Sequence, residues 1–281
     1  MDDFRCAAAS IDDREPLAGT APTETAWLFV EHPGPWGRQA VAEARWPESV
    51  RAALTGRDDL RVQLVRRPTR STGGLRVFAA TASSTGFDVG ATVLGDPEEL
   101  LGLELDSARP ALGLPAYADP LWLVCTNGRR DRCCAELGRP VTSALAARWP
   151  EHTWETTHLG GHRFAGTLLA LPSGVTLGRL GADDAVGACE AVLRGDLPPE
   201  RVRGRAGLAP AAQVAELAVR ALRSGPTSVA ERGHGRFEVA AGAETYDVSV
   251  AAAPGPARRQ SCAAERTKAT TLLSVESLQV R

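Results

Sequence analysis

Four residues in one short stretch of the chain could ligate a soft or borderline metal. Cys125 and Cys134 stand nine positions apart in CTNGRRDRCC, and His158 and His162 stand four apart in HLGGH. Thiolate and imidazole are the ligands such a metal takes. On a helix, a spacing of four would put both imidazoles on one face, as in zinc metalloproteases. Here the intervening residues are Leu159, Gly160 and Gly161. Two adjacent glycines cost a helix roughly 2 kcal/mol relative to alanine, and the glutamate of an HExxH motif is absent. The pair is therefore read as a loop, whose glycines let the backbone turn tightly and bring both imidazoles toward one point. The plain alternative, two ordinary polar histidines, suits a lone histidine better than a pair bracketing Gly-Gly near a group of cysteines.

Cys125 follows an apolar run, Leu121 to Val124, that reads as a buried strand. Cys134 falls at the predicted start of a helix, where the helix N-terminus stabilises a thiolate. Cysteine is also a common small core residue, but Asn127 to Arg132 between the two is polar and turn-forming, which argues for a loop. Cys133 and Cys134 are adjacent, so their side chains diverge. One is read as a ligand and the other as its neighbour. Two cysteines and two histidines could hold zinc tetrahedrally or a [2Fe–2S] cluster in which two imidazoles replace two thiolates. A zinc finger usually places its cysteines about two to four residues apart. A longer excursion suits a bulkier cluster, although spacing alone does not decide.

The elements that must position these residues follow from apolar patterning. Strands are predicted at Ala26–Val30, Arg61–Val65, Leu75–Ala80, Leu121–Val124, Thr153–Thr157, Thr167–Ala170 and Val175–Leu177. Helices are predicted at Arg38–Leu54, with a break at Trp46-Pro47, and at Cys134–Trp149, Asp183–Arg194 and Ala211–Arg223. Residues 83–119 read as looser, with a short helix beginning near Pro97. A β-hairpin turning at Gly242 is expected over Arg236–Val250, and the last twenty residues are ambiguous. The mixture argues for an α/β layered architecture. The order strand, helix, strand, strand recurs, and two textual echoes accompany it. Ala44-Arg45-Trp46-Pro47 returns as Ala147-Arg148-Trp149-Pro150, and Gly73-Gly74-Leu75-Arg76 resembles Gly160-Gly161-His162-Arg163. A degenerate duplication is the expectation they raise.

The composition bounds the partners. The 281 residues are 43% hydrophobic and 23% charged, with a net charge of −2. That is ordinary globular composition, with no overall pull toward nucleic acid or an anionic membrane. Lys268 is the only lysine. The arginines Arg66, Arg67 and Arg70, or Arg201, Arg203 and Arg205, could bind phosphates, but a solvated surface balanced by acids is the favoured reading. No apolar run approaches the ~20 residues of a membrane span. The first residues carry acids where a signal peptide carries bases, so a cytoplasmic location is expected. Six cysteines are too few and scattered for a disulfide scaffold, and a clustered subset suits metal or redox work in a reducing compartment. Cys6, Cys189 and Cys262 read most simply as structural, with Cys6 and Cys262 near the two ends of the chain and able to approach each other. Trp27, Trp36 and Trp122 read as core or loop anchors.

Cys125-x8-Cys134 followed by His158-x3-His162, within CTNGRRDRCC and HLGGHRFAG, resembles the sucrase/ferredoxin-like family. AWLFVEHPGPWG and LVRRP are also similar to its bacterial branch, so the resemblance covers roughly residues 1–225. It implies a thioredoxin-like fold and a [2Fe–2S] cluster, with Cys125 and Cys134 on one iron and His158 and His162 on the other. Cys133 has no counterpart in that ligand pattern. The element order and composition divide the chain into four expected segments: a lead-in over 1–24, a cluster-free α/β half over 25–119, a thioredoxin-like cluster-binding half over 120–225, and a C-terminal β extension over 226–281. The sucrase of the family name finds no paired acids in a glycosidase setting.

The expected function is one-electron transfer, as a redox component of an oxidoreductase system. Its donor and acceptor are not named by the sequence, and neither nucleic acid nor membrane is an expected partner. Arg163, beside a ligand, could tune the potential, dock a partner or form a surface salt bridge. Two other classes compete. One is a structural zinc site in a binding protein. The other is a thiol-redox protein using Cys133 and Cys134, which lacks the usual C-x-x-C.

Overall fold

The computed structural model describes residues 4–69 and 73–281. Among these the chain forms a nine-stranded curled sheet and a separate four-stranded sheet, an α/β layered fold with a C-terminal β extension. Arg70, grouped above with Arg66 and Arg67, lies outside the described residues.

The large sheet is built from β1 (Ala26–Glu31), β2 (Arg61–Arg66), β3 (Leu75–Ala82), β4 (Phe87–Leu94), β5 (Leu121–Cys125), β6 (Thr153–Thr156), β7 (Leu168–Leu171), β8 (Val175–Leu177) and β9 (Val202–Arg205). Its order is β4-β3-β1-β2-β6-β5-β7-β8-β9. β1 runs parallel to β2 and antiparallel to β3, which pairs antiparallel with β4. β5 repeats this pairing with β6, β7 and β8. The two sets meet where β2 and β6 pair antiparallel through Val65–Thr156 and Arg66–Glu155. The strand order therefore recurs on either side of the β2–β6 seam. The textual echo does not follow it: Trp46-Pro47 precedes a helix, whereas Trp149-Pro150 follows one.

β1 and β5 are buried along their whole length, as strands covered on both faces must be. Alternation sends Leu28 and Val30 to a core shared with Val50 and Leu54 of α2 (Glu48–Thr55). Trp27 and Phe29 point the other way and join Leu121, Leu123, Trp154 and Cys125 inside the curl. Trp122 and Val124 pack beneath α3 (Arg132–Arg148) and α4 (Ala182–Leu193). α5 (Pro210–Arg220) lies on the second sheet, where its Val219 meets Phe237 and Tyr246. That sheet runs β10 (Thr227–Glu231), β11 (Arg236–Ala241), β12 (Glu244–Arg259) and β13 (Thr267–Val280) in order.

Some elements differ from expectation. The helix expected from Arg38 begins only at Glu48, because proline disfavours helical backbone at the residue before it. Residues 83–119, read as loose, contain β4, and the ambiguous last residues form β13. The lead-in contains α1 (Cys6–Asp12), whose Cys6 and Ala7 are buried. No described helix is long and apolar enough to cross a membrane.

Candidate metal centre

Cys125 is the last residue of β5 and shares the inner face with Leu121 and Leu123. Cys134 lies in the first turn of α3, whose N-cap is Asp131. Gly138, one turn on, lets the helix press against the strand end. A Cβ at that position would sit 2.2 Å from the Cys125 carbonyl oxygen. The helix is thereby seated directly over the thiol of β5.

The histidine stretch is a loop, as the glycines require. Gly160 and Gly161 have φ values of +90° and +68°, a left-handed conformation that glycine adopts at little cost. His162 then opens a short 3₁₀ turn to Phe164. Leu159, fully buried, anchors the loop in the same inner core as Cys125 and Cys134. Arg61 donates to the His158 carbonyl, and Arg203 Nη1 donates to the Gly160 carbonyl at 3.1 Å.

The fold brings three of the four sequence-selected residues together, with His162 beside the third. Ligand atoms of Cys125, Cys134 and His158 lie within 4.8 Å of one another. The His162 ring is 4.7 Å from the His158 ring, centroid to centroid, at 30°. The Nδ1 atoms of both histidines are buried without a hydrogen-bond partner among the described residues. Such orphaned atoms are costly in a native interior unless something fills them. Convergent thiols with unmet imidazole nitrogens beside them are the donor set that the expected metal group needs.

The electrostatics agree. A hydrogen bond from Cys134 and the neighbouring His158 hold the Cys125 thiol well below its usual range, despite full burial. The bond to Cys125 and burial push Cys134 up. Cys125 is thus the thiol that ionises more readily, and the thiolate is the form that a metal takes. Burial and the adjacent His158 lower His162 to about 4, leaving a neutral imidazole able to ligate.

Arg203 was grouped from sequence with a solvated surface, and the structure corrects this. Both Arg203 and Arg205 are buried, because alternate residues of β9 point inward. Arg205 pairs with Glu216 at 2.8 Å. Arg203 has no carboxylate partner among the described residues. It donates instead to Gly160 and to the Thr20 hydroxyl and carbonyl. Burial lowers it to about 9, while the charges of Cys125 and Cys134 act in its favour. It is a buried cation held against the Gly160–Gly161 turn. An arginine in a strand pattern gave no sign of this. Arg163 forms an ion pair with Glu15 at 2.8 Å, a largely buried bridge where a surface one is expected.

A family model described as sucrase/ferredoxin-like matches residues 17–204, two thirds of the chain, a span that includes Cys125, Cys134, His158 and His162. The chain belongs to the sucrase/ferredoxin-like family. No curated protein and no solved structure matches it. Within this family member, a second group also converges: Cys6, Asp131, Cys133 and Cys262, again within 4.8 Å. From the sequence, Cys133 has no ligand role and Cys6 and Cys262 are expected to be structural. The hint available was that the last two could meet, and their sulfurs are 3.6 Å apart.

Proposed function

We propose that this sucrase/ferredoxin-like protein is a one-electron carrier, with a [2Fe–2S] group held by Cys125, Cys134, His158 and His162. Cys125 and Cys134 would hold one iron, and His158 and His162 the other. The observation that supports it most is the pair of buried, unpartnered imidazole nitrogens beside two convergent sulfurs. Such a group accepts or releases one electron, at a higher potential than an all-cysteine plant-type centre.

The chain's own contributions are positional and electrostatic. β5 and α3 fix the sulfurs, and Leu159 excludes water from the inner side. Arg203 and Arg61 hold the loop carbonyls, so the two imidazoles stay aimed at the sulfurs. The buried guanidinium offsets negative charge gathered at the thiolates. Outside the loop lies a cleft of about 500 Å³ lined in part by Gly160, Gly161, Arg61, Arg163 and Arg203. On this reading it is the approach for donor and acceptor, and its arginines favour an acidic partner.

A second reading is favoured by one observation. Three ligand atoms within 4.8 Å suit a single zinc ion as they stand. Anaerobic purification followed by metal and sulfide analysis, with EPR of the dithionite-reduced protein, decides between them. Iron and labile sulfide in equal amounts, with visible absorption, are expected. Zinc without iron, in a colourless protein that lacks a reduced-state EPR signal, would establish the second reading.

A further inference from the structure

We propose a second metal site, formed by Cys6, Cys133, Cys262 and Asp131, that takes one zinc-type divalent ion. It is separate from the proposed redox centre. Cys133 and Cys134 are consecutive in α3 and point to different surroundings. Cys134 packs in the inner core with Cys125, whereas Cys133 packs with Cys6, Ala7 and Ala165, flanked by Phe4 and Cys262. Only Asp131 and Cys133 lie in the part of the chain that the family model matches, and Cys6 and Cys262 lie outside residues 17–204.

The distances suit a single ion. Cys133 Sγ is 3.3 Å from Cys262 Sγ, which is 3.6 Å from Cys6 Sγ. Asp131 Oδ1 lies 3.2 Å from Cys262 Sγ and 3.6 Å from Cys6 Sγ. A tetrahedral zinc with bonds of about 2.3 Å sets its sulfurs about 3.8 Å apart, only a few tenths wider than observed. A disulfide needs about 2.05 Å, and three thiols cannot all pair with one another in any case. Three sulfurs and a carboxylate make a closed, four-ligand set of the structural kind.

The surroundings already orient these groups. The backbone N–H of Cys133 donates to Asp131 Oδ1 at 3.0 Å, and that of Cys262 donates to Oδ2 at 2.8 Å. Backbone N–H groups of Ala7 and Cys6 face the sulfurs of Cys133 and Cys262. Such outer contacts fix ligand direction and spread the excess negative charge of three thiolates. Cys6 and Cys133 are buried and Cys262 is half-exposed, which leaves an entry path. The ion would tie three remote segments together: α1, the start of α3, and the turn between β12 and β13.

The test uses the full chain and zinc itself. Metal content is measured for wild type, for Cys6→Ser/Cys262→Ser, and for Cys125→Ser/His162→Gln. Wild type should hold one zinc in addition to whatever the Cys125 centre holds. The Cys6/Cys262 variant should lose that zinc and keep its visible absorption, and the Cys125/His162 variant should keep it. A second measurement needs no substitution. Alkylation of Cys262 by N-ethylmaleimide in wild type should slow at least about tenfold when zinc is bound and recover with a chelator. The proposal is overturned if Cys262 alkylates equally with and without zinc, if zinc content is unchanged in the Cys6/Cys262 variant, or if mass spectrometry finds two of the three thiols in a disulfide. Zinc loss in the Cys6/Cys262 variant, the alkylation rate and the thiol masses do not depend on what occupies the Cys125 centre, so failure here leaves the redox reading standing, and the reverse also holds.

Discussion

The half of the sheet built on β1–β4 has one histidine, His32, and the half built on β5–β8 has three, His152, His158 and His162, and their nitrogens fare differently. His32 follows β1. Its Nδ1 accepts the Gly34 N–H at 3.1 Å and its ring meets Trp46 edge-on at 5.1 Å. It is a satisfied core histidine. His158 and His162 stand beside Cys125 and Cys134 with both Nδ1 atoms unmet. No cysteine occurs between Ala7 and Val124. The same strand pairing thus serves as scaffold on one side and as a ligand cradle on the other. What separates the two is a handful of side chains at strand ends.

The largest effect should come from the ligands. Cys125→Ser is expected to lower bound iron and visible absorption more than about 100-fold. His32→Gln should leave both unchanged and cost about 1–2 kcal/mol of stability. Equal loss of colour in the two variants would erase the distinction between the halves.

Arg203→Met comes next. It leaves the carbonyls of Gly160 and Thr20 without their donor, at a cost of about 2–4 kcal/mol in denaturant unfolding. In protein that retains the group, the potential should fall, since a positive neighbour of the electron is gone. A potential unchanged within error would show that Arg203 acts through packing alone.

The glycines sharpen the contrast. At Gly161 an added Cβ meets Arg203 Nη2 at 2.4 Å, whereas at Gly73 it meets nothing within 4 Å. Both positions have positive φ. Gly73→Ala should therefore cost about 1 kcal/mol of backbone strain, and Gly161→Ala about 2–3 kcal/mol. Melting temperatures check the order.

The smallest effect is a pH dependence. His162 is held at about 4, below its ordinary 6.5, mainly by burial. Between those values the unfolded chain binds a proton that the folded chain does not. Stability of the metal-free protein should therefore fall as pH drops from 6.5 to 4, by about 2 kcal/mol. His162→Gln should flatten that slope, and an identical slope in the variant would remove His162 as its cause.

Much of this was legible in sequence because the signals were local. β1 and β5 are dense apolar runs, and two adjacent glycines rule out a helix between His158 and His162 wherever the loop lies. β4 escaped because Asp88 and Gly90 break its pattern. Gly90 is required by tertiary packing, since a Cβ there would sit 2.8 Å from Ala111 Cβ. Arg203 and the Cys6–Cys133–Cys262 group escaped for a related reason. Their meaning depends on partners far away in the chain, and no periodicity records which strand face or hairpin turn will meet which helix.

The long β12–β13 hairpin delivers Cys262 to Asp131 and Cys133 across 129 residues of sequence or more. Chains emerge from the ribosome N-terminal end first. The stretch from Cys125 to His162 can therefore be assembled while the hairpin is still unmade. Whatever fastens α1 to α3 through Cys262 can act only after that later stretch has emerged as well. The order of residues along the chain thus becomes an order of events in time, with the interior of the sheet furnished before its outer clasp can close.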